Sequence, residues 1–315
     1  MSRVAVLKGG RSLERQVSLR SGARVQDALE RLGHLPVPID VGGDLVERLQ
    51  ASQAEVAFVA LHGRDGEDGT VQELLDTLAI PYTGSRVSAC IRAADKVLAK
   101  HAMRDQEIPT PEFFAFSETA FNDLGAAHAL PAIEQRLGFP IVVKPASQGS
   151  ALGIKFARNA VDLPAALVSA FSYDRKVLLE RHIAGRDLAV SIIEEGGRPR
   201  ALPIVEAMPV QEEFYDFEAR YEIGRTRFSC PAELPQETTN AALELAVAVF
   251  ELLGLSGFAR VDLMLESETE ELYVLEANVI PGLTDTSLLP QAADAAGIGF
   301  DELIQRILDA ALARV

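Results

Sequence analysis

Over residues 1–94, apolar runs of strand length alternate with segments of helical period: VAVLK, SLRSGARVQDALERLG, PVPIDV, GDLVERLQ, EVAFVALHG and TVQELLDTLA. Strands joined through helices pair side by side in parallel, so this order predicts a doubly wound α/β domain with helices covering a parallel sheet. Open sheets of this kind take ligands beyond the carboxyl ends of their strands. The glycine turns GGRS and HGRDGEDG fall at such ends. The second runs into Thr70-Val71-Gln72-Glu73, a capping-box pattern that predicts a helix start. Neither turn is GxGxxG and GxxxxGK[ST] is absent, so neither a dinucleotide fingerprint nor a P-loop is supported.

At 315 residues the chain exceeds the usual ~100–200 of one domain, and two or three domains are expected. Residues 95–184 read as a small α+β unit: helical KVLAKHAMRDQ, the passage IPTPEFFAF, a helical stretch to RLG, strand FPIVVKPA, the turn SQGSALG, strand IKFA, a helix and strand KVLLERH. Residues 185–315 carry AVSIIE, the aromatic and charged EEFYDFEARYEIGRTRFSC, the long helix QETTNAALELAVAVFELLG, two apolar runs and a helical end. A formal charge of −16 argues against nucleic acid or an anionic membrane as a partner, and means that an anionic substrate needs local cations or a metal. Cys90 and Cys230 fit neither a zinc pattern nor a disulfide framework, which points to a reducing cytoplasm. No run approaches the ~18 apolar residues of a membrane span, so a soluble, unprocessed protein is expected.

The two apolar runs are FARVDLML and LYVLEANVIPG, joined by the polar ESETEE as a hairpin would be. With a strand period of two, Glu276 and Asn278 share one face while Leu275, Ala277 and Val279 take the other. The simplest register sets Asp262 opposite Glu276 and Arg260 opposite Asn278. Three oxygen-bearing side chains then crowd one face beside a guanidinium. Such oxygens suit Mg²⁺ shared with substrate phosphates, and a solvated hairpin face with an ion pair accounts for them equally well at this point. Two lysines add to the pattern: Lys144 at a strand end before the Ser/Gly loop, and Lys96 after AAD.

With GGRSLERQVSLRSG, ALHGRDGEDGTVQELLDTLAIPYTGS, ADK, VVKPASQGSALGI, FYDFEARY, ARVDLML and LEANVIPGLTDTSLLP in order, nearly the whole chain resembles the ATP-grasp ligases, and most closely the D-alanine–D-alanine ligase family. The resemblance implies ATP held between two antiparallel sheets, one from residues 95–184 and one from residues 185–315. It assigns the phosphates to Lys96 and Lys144, with Ser147, Gly149 and Ser150 in a glycine-rich lid over them. Glu180, Ile183 and Asp187 match the adenine strand and the ribose acid, where the family usually has Glu at the last place. Asp262, Glu276 and Asn278 match the ligands of Mg²⁺, with two ions expected and Mn²⁺ an alternative.

The implied reaction phosphorylates one D-alanine carboxylate and lets the amine of a second D-alanine attack the acyl phosphate, yielding a peptidoglycan precursor. Arg260 and the Gly282 N–H match the groups that steady the tetrahedral intermediate. Glu14, with His62 near it, matches the holder of the first ammonium, and Ser287 with Leu288 the receiver of the second carboxylate. FYDFEARY matches a closing loop in which Tyr221 reaches toward Ser150 and Glu14, and Arg220 stands where the family commonly has a phosphate-binding lysine. Further departures are Gln16, Arg86, Ala151 and Val279. A homodimer is the family expectation. Rival readings are a related ligase taking D-lactate or D-serine second, and a nucleotide-binding paralogue without turnover. The intact metal triad argues against the latter.

Overall fold

A computed structural model describes residues 1–210 and 224–314. The N-terminal sheet is parallel, with order β2-β1-β3 built from Leu35–Asp40, Arg3–Lys8 and Val56–Val59. Helix α1 (Arg15–Arg31) buries Val17, Ser21, Val25, Ala28 and Leu29, the three-to-four spacing of one helix face. Helices α2 (Leu45–Ser52) and α3 (Thr70–Thr77) follow their strands in the alternating order expected. Helix α3 starts at the capping-box pattern as expected, but without the capping box itself. Helix α3 is preceded by Gly69 in a left-handed conformation, and the Thr70 N–H donates to Asp68 Oδ1 at 3.0 Å. Thr70 already lies inside the helix, so its hydroxyl has no cap position to fill. Helix α4 (Val87–Ala94), which sequence reading passed over, leads to α5 (Lys96–Asp105), whose first turn is capped by the Asp95 carboxylate.

The second sheet is antiparallel with order β4-β7-β5-β6, from Phe113–Ser117, Lys176–Arg181, Ile141–Pro145 and Lys155–Ala157. Helices α6 (Glu118–Asp123), α7 (Leu130–Leu137) and α8 (Leu163–Phe171) belong to this unit, and Ile133, Leu137, Leu163 and Leu167 pack with Ile141, Val143 and Leu179 in a core of their own.

The third sheet is antiparallel with order β11-β10-β8-β12-β13, from Thr226–Ser229, Val205–Pro209, Gly185–Glu195, Phe258–Glu266 and Leu272–Asn278. A short β9 (Arg198–Ala201) also pairs with β8. Helices α9 (Gln236–Leu253), α10 (Leu288–Ala295) and α11 (Phe300–Leu312) pack on it. Its core is continuous with that of the N-terminal sheet, and the Arg31–Asp301 ion pair joins α1 to α11 at 2.6 Å. The fold is therefore the doubly wound domain plus two antiparallel sheets that the sequence implied.

The hairpin register is as expected, Arg260 opposite Asn278 and Asp262 opposite Glu276. Immediately after Asp262 the register shifts, with Leu263 opposite Val274 and Leu275 the extra residue. Simple alternation sends Leu275 away from Glu276, yet both line one small cavity. A bulge breaks the period of two and re-aims a side chain, which accounts for the difference.

Candidate active site

Between the two antiparallel sheets lies a cavity of about 270 Å³ lined by Lys144, Phe156, Glu180, Ile183, Asp187 and Met264 among others. A smaller one of about 60 Å³ shares Lys144, Ile154, Asp187 and Leu275 with it and adds Asp262, Glu276 and Leu288. The shared walls make one groove, apolar at the Ile183 end and carboxylate-rich at the other. Both oxygens of the buried Glu180 are engaged, Oε1 by Lys144 Nζ at 2.6 Å and Oε2 by Lys100 Nζ at 2.7 Å. Burial alone would push this carboxyl up, but the Lys100 and then the Lys144 ammonium outweigh it and hold Glu180 below the ordinary carboxylate range.

At the carboxylate end, Arg260 donates from Nε and Nη2 to the two oxygens of Asp262 at 2.6 and 2.8 Å, and Asn278 Nδ2 donates to Asp262 Oδ2 at 3.1 Å. Glu276 takes Lys96 Nζ at 3.0 Å, and the same ammonium donates to the Gln148 carbonyl at 2.8 Å. A third cavity, about 670 Å³, opens where the N-terminal domain meets the other two units and is lined by Glu67, Lys96, Ser147, Gly149, Glu276 and Asn278 among others. That volume suits a small-molecule site.

Glu14 precedes α1 and is 5 % exposed. It accepts a hydrogen bond from Ser150 Oγ of the glycine-rich loop, which ties the N-terminal domain to the second sheet. Burial pushes the Glu14 carboxyl above its ordinary range and the Glu67 charge adds to this, against the Ser150 hydrogen bond and the charges of His62 and Lys96. Gly63 follows β3 with φ +73°, and a Cβ there would lie 2.4 Å from Glu14 Oε2, so only glycine fits the turn against that acid. His62 is fully enclosed. Its Nδ1 lies 3.1 Å from the Ile280 carbonyl and must donate to it, while Nε2 lies 2.9 Å from Ser21 Oγ. Ser21 Oγ also accepts the Leu283 N–H at 3.2 Å. These contacts hold the 280–283 loop against the N-terminal domain. A Cβ on Gly282 would come within 2.5 Å of Ser287 Oγ, which itself accepts the Thr284 N–H at 3.0 Å and leaves the start of α10 without a side-chain cap.

A family model described as the D-ala D-ala ligase C-terminus matches residues 102–309, and one described as the D-ala D-ala ligase N-terminus matches residues 45–85. The D-alanine–D-alanine ligase of Syntrophotalea carbinolica is 45 % identical over 312 residues, 99 % of this chain and 97 % of that protein. The chain belongs to the D-alanine–D-alanine ligase family. The crystal structure of the D-alanine–D-alanine ligase from Bacillus anthracis superposes on it with a TM-score of 0.86 at 34 % identity, covering 100 % of this chain and 98 % of the other. The structure of that ligase complexed with ATP gives 0.83 at 32 % identity, with the same coverage.

Of the residues singled out in the sequence as D-alanine–D-alanine ligase groups, Lys144, Glu180, Ile183, Asp187, Asp262, Glu276 and Leu288 line the groove. Lys96, Ser147, Gly149 and Asn278 line the large cavity that Glu276 also reaches. Glu14, Ser150 and His62 meet at the N-terminal side, with Gly282 and Ser287 on the loop that His62 and Ser21 hold. Arg220 and Tyr221 lie outside the described residues. Lys100, Ser21 and Glu67 were missed. A signal for Lys100 exists in the sequence, since Val97, Lys100 and Met103 recur every three residues on the buried face of α5.

The donor set fits a hard cation. Asp262 and Glu276 face each other in register beside the Asn278 amide, and each carboxylate is held by one of the protein's own cations. Among the described residues no group of three or more His, Cys, Asp and Glu side chains has metal-binding geometry; here the third donor is an amide.

Proposed function

We infer that the chain is an ATP-dependent ligase that joins two D-alanine molecules into D-alanyl-D-alanine, a peptidoglycan precursor, through an acyl phosphate. Beyond family membership, the observation that carries this reading is the continuous groove in which Lys144 and Asp187 line both the apolar and the carboxylate-rich cavity. A nucleotide needs that sequence of surfaces: an apolar slot for the base, an acid for the ribose, then cations and metal ligands for the phosphates.

Ile183, Phe156 and Met264 offer apolar wall to adenine, Glu180 its carboxylate, and Asp187 its oxygens to the ribose. Lys96 and Lys144 bring positive charge to the phosphates beneath Ser147, Gly149 and Ser150, and the family pattern assigns a further phosphate contact to Arg220. Mg²⁺, two ions by the family pattern or Mn²⁺ in their place, would be held by Asp262, Glu276 and Asn278 and would supply charge to the β- and γ-phosphate oxygens. Two unit negative charges ~4 Å apart repel by roughly 4 kcal/mol at an effective dielectric of about 20, so bringing carboxylate and phosphate together is the main electrostatic task.

Glu14 holds the ammonium of the first D-alanine and Ser150 orients the Glu14 carboxylate by its hydrogen bond, while the family pattern assigns Tyr221 to the same pair. His62 acts on the same substrate through the 280–283 loop that it anchors. Arg260, on exchanging Asp262 for the new partner, and the Gly282 N–H would donate to the oxyanion that forms when the second amine attacks, while Ser287 and the N–H of Leu288 would receive the second carboxylate.

The division into 1–94, 95–184 and 185–315 is supported by the three sheets and by the separate core of the middle unit. ATP as reactant accords with a cytoplasmic location, a homodimer is the family expectation, and no helix among the described residues is long and apolar enough to cross a membrane. ADP release measured across D-alanine, L-alanine, D-serine and D-lactate, with products weighed by mass spectrometry, tests the function. D-alanyl-D-alanine is the expected main product. A mixed product would transfer the reading to a ligase with another second substrate, and no ADP release would leave only nucleotide binding.

A further inference from the structure

Two ammonium groups share one carboxylate in the wall of the groove. Lys144 and Lys100 approach opposite oxygens of Glu180, at 2.6 and 2.7 Å, yet their settings differ. Lys144 lines both parts of the groove and has space to turn toward a ligand. Lys100 is 1 % exposed and fixed on three sides. It donates to Thr110 Oγ1 at 2.5 Å and lies 5.7 Å from the centre of the Phe113 ring, and Phe113 is the β-sheet partner of Glu180. The Thr110 hydroxyl in turn donates to the Val274 carbonyl at 2.8 Å, and the Val274 N–H donates to the Pro109 carbonyl at 2.8 Å. Lys100 is thereby anchored to both sheets that flank the groove.

We propose that Lys100 is a positioning residue that frees Lys144 for the phosphates, by remaining as the counter-ion of Glu180 when Lys144 turns away. A buried carboxylate with a single cation holds that cation tightly, because leaving either charge unpaired in the interior is costly. With two lysines on opposite oxygens of one acid, the one nearer the ligand can leave while the acid stays compensated. Glu180 then keeps its place against the nucleotide base. The inference rests on the nucleotide reading of the groove, which ATP and adenosine binding to the parent protein tests separately.

The experiment compares ATP, ADP and adenosine binding by calorimetry in the parent, Lys100→Met, Thr110→Val and the double variant Lys100→Met/Glu180→Gln. Lys100→Met leaves the neutral pair Glu180–Lys144, so the fold should persist. The expected result for Lys100→Met is a loss of tenfold or more in ATP and ADP affinity with adenosine affinity within twofold, and in the double variant, where no acid remains to retain Lys144, ATP affinity relative to adenosine affinity should recover at least threefold. Thr110→Val should follow Lys100→Met in direction with a smaller loss. Equal weakening of ATP and adenosine would make Lys100 a merely structural residue and overturn the proposal, as would unchanged ATP affinity or a double variant whose ATP affinity relative to adenosine is no better than that of the single one. Should Lys100→Met fail to fold, Thr110→Val alone decides between selective loss for ATP and equal loss.

Discussion

Arg260 grips Asp262, its neighbour two residues along β12, with Nε and Nη2 at 2.6 and 2.8 Å from the two carboxylate oxygens. Both residues are under a tenth exposed. The pair neutralises an acid that the metal reading assigns to a cation, so engaging a metal and an oxyanion requires Asp262 and Arg260 to exchange partners.

Removing the guanidinium should expose that competition. Arg260→Met leaves Asp262 buried without its strongest partner, at a cost of about 3 kcal/mol in the absence of divalent cations. Mn²⁺ binding to the freed carboxylate should restore part of this. Thermal unfolding with and without Mn²⁺ is expected to show a larger metal-induced rise for the variant than for the parent, while turnover falls at least a hundredfold. Equal rises in the two proteins would contradict the exchange.

Glu14 gives a pH-dependent test. Its carboxyl is raised above the ordinary range, chiefly by burial and then by the Glu67 charge. The folded protein therefore holds this proton more tightly than the unfolded chain does, and stability from this group declines as pH rises through the folded value. Glu14→Gln should melt at a higher temperature than the parent at neutral pH, with the difference shrinking as pH falls into the ordinary carboxylate range. The same variant should lose most D-alanine turnover. A parent that is more heat-stable than Glu14→Gln at neutral pH would refute the cost assigned to the buried charge.

The part of the site that could be read directly is the hairpin, because a period of two and a polar link of fixed length leave little choice of register for Arg260, Asp262, Glu276 and Asn278. The bulge at Leu275 was invisible, since an added residue in one strand alters no local pattern that alternation can register. Lys100 was missed for a different reason. A lysine on an apolar helix face is assumed to reach solvent, and its partners Thr110 and Glu180 are 10 and 80 positions away in the chain. The capping-box match marked the start of α3 but not its cap, because four residue types in order do not fix which residue precedes the first turn; here Gly69 does, and Asp68 Oδ1 accepts the Thr70 N–H.

Ser21 links the N-terminal domain to the loop that carries Gly282, through His62 Nε2 and the Leu283 N–H. Ser21→Ala leaves both without that partner in the interior, and a loss of about 1–3 kcal/mol in stability is expected. The kcat should fall more than tenfold while the KM for ATP changes little, because the nucleotide groove lies elsewhere. Steady-state kinetics beside chemical denaturation would check this, and a kcat equal to that of the parent would show that the loop needs no such anchor.

The most direct test of the central claim follows the oxygen atoms. With D-alanine labelled with ¹⁸O in its carboxylate and unlabelled ATP, phosphorylation of the carboxylate before amine attack requires that one labelled oxygen leave in the inorganic phosphate for each dipeptide formed. Mass analysis of that phosphate should show a single ¹⁸O, in step with D-alanyl-D-alanine. Label appearing in AMP, or unlabelled phosphate accompanying dipeptide formation, would contradict the acyl-phosphate account.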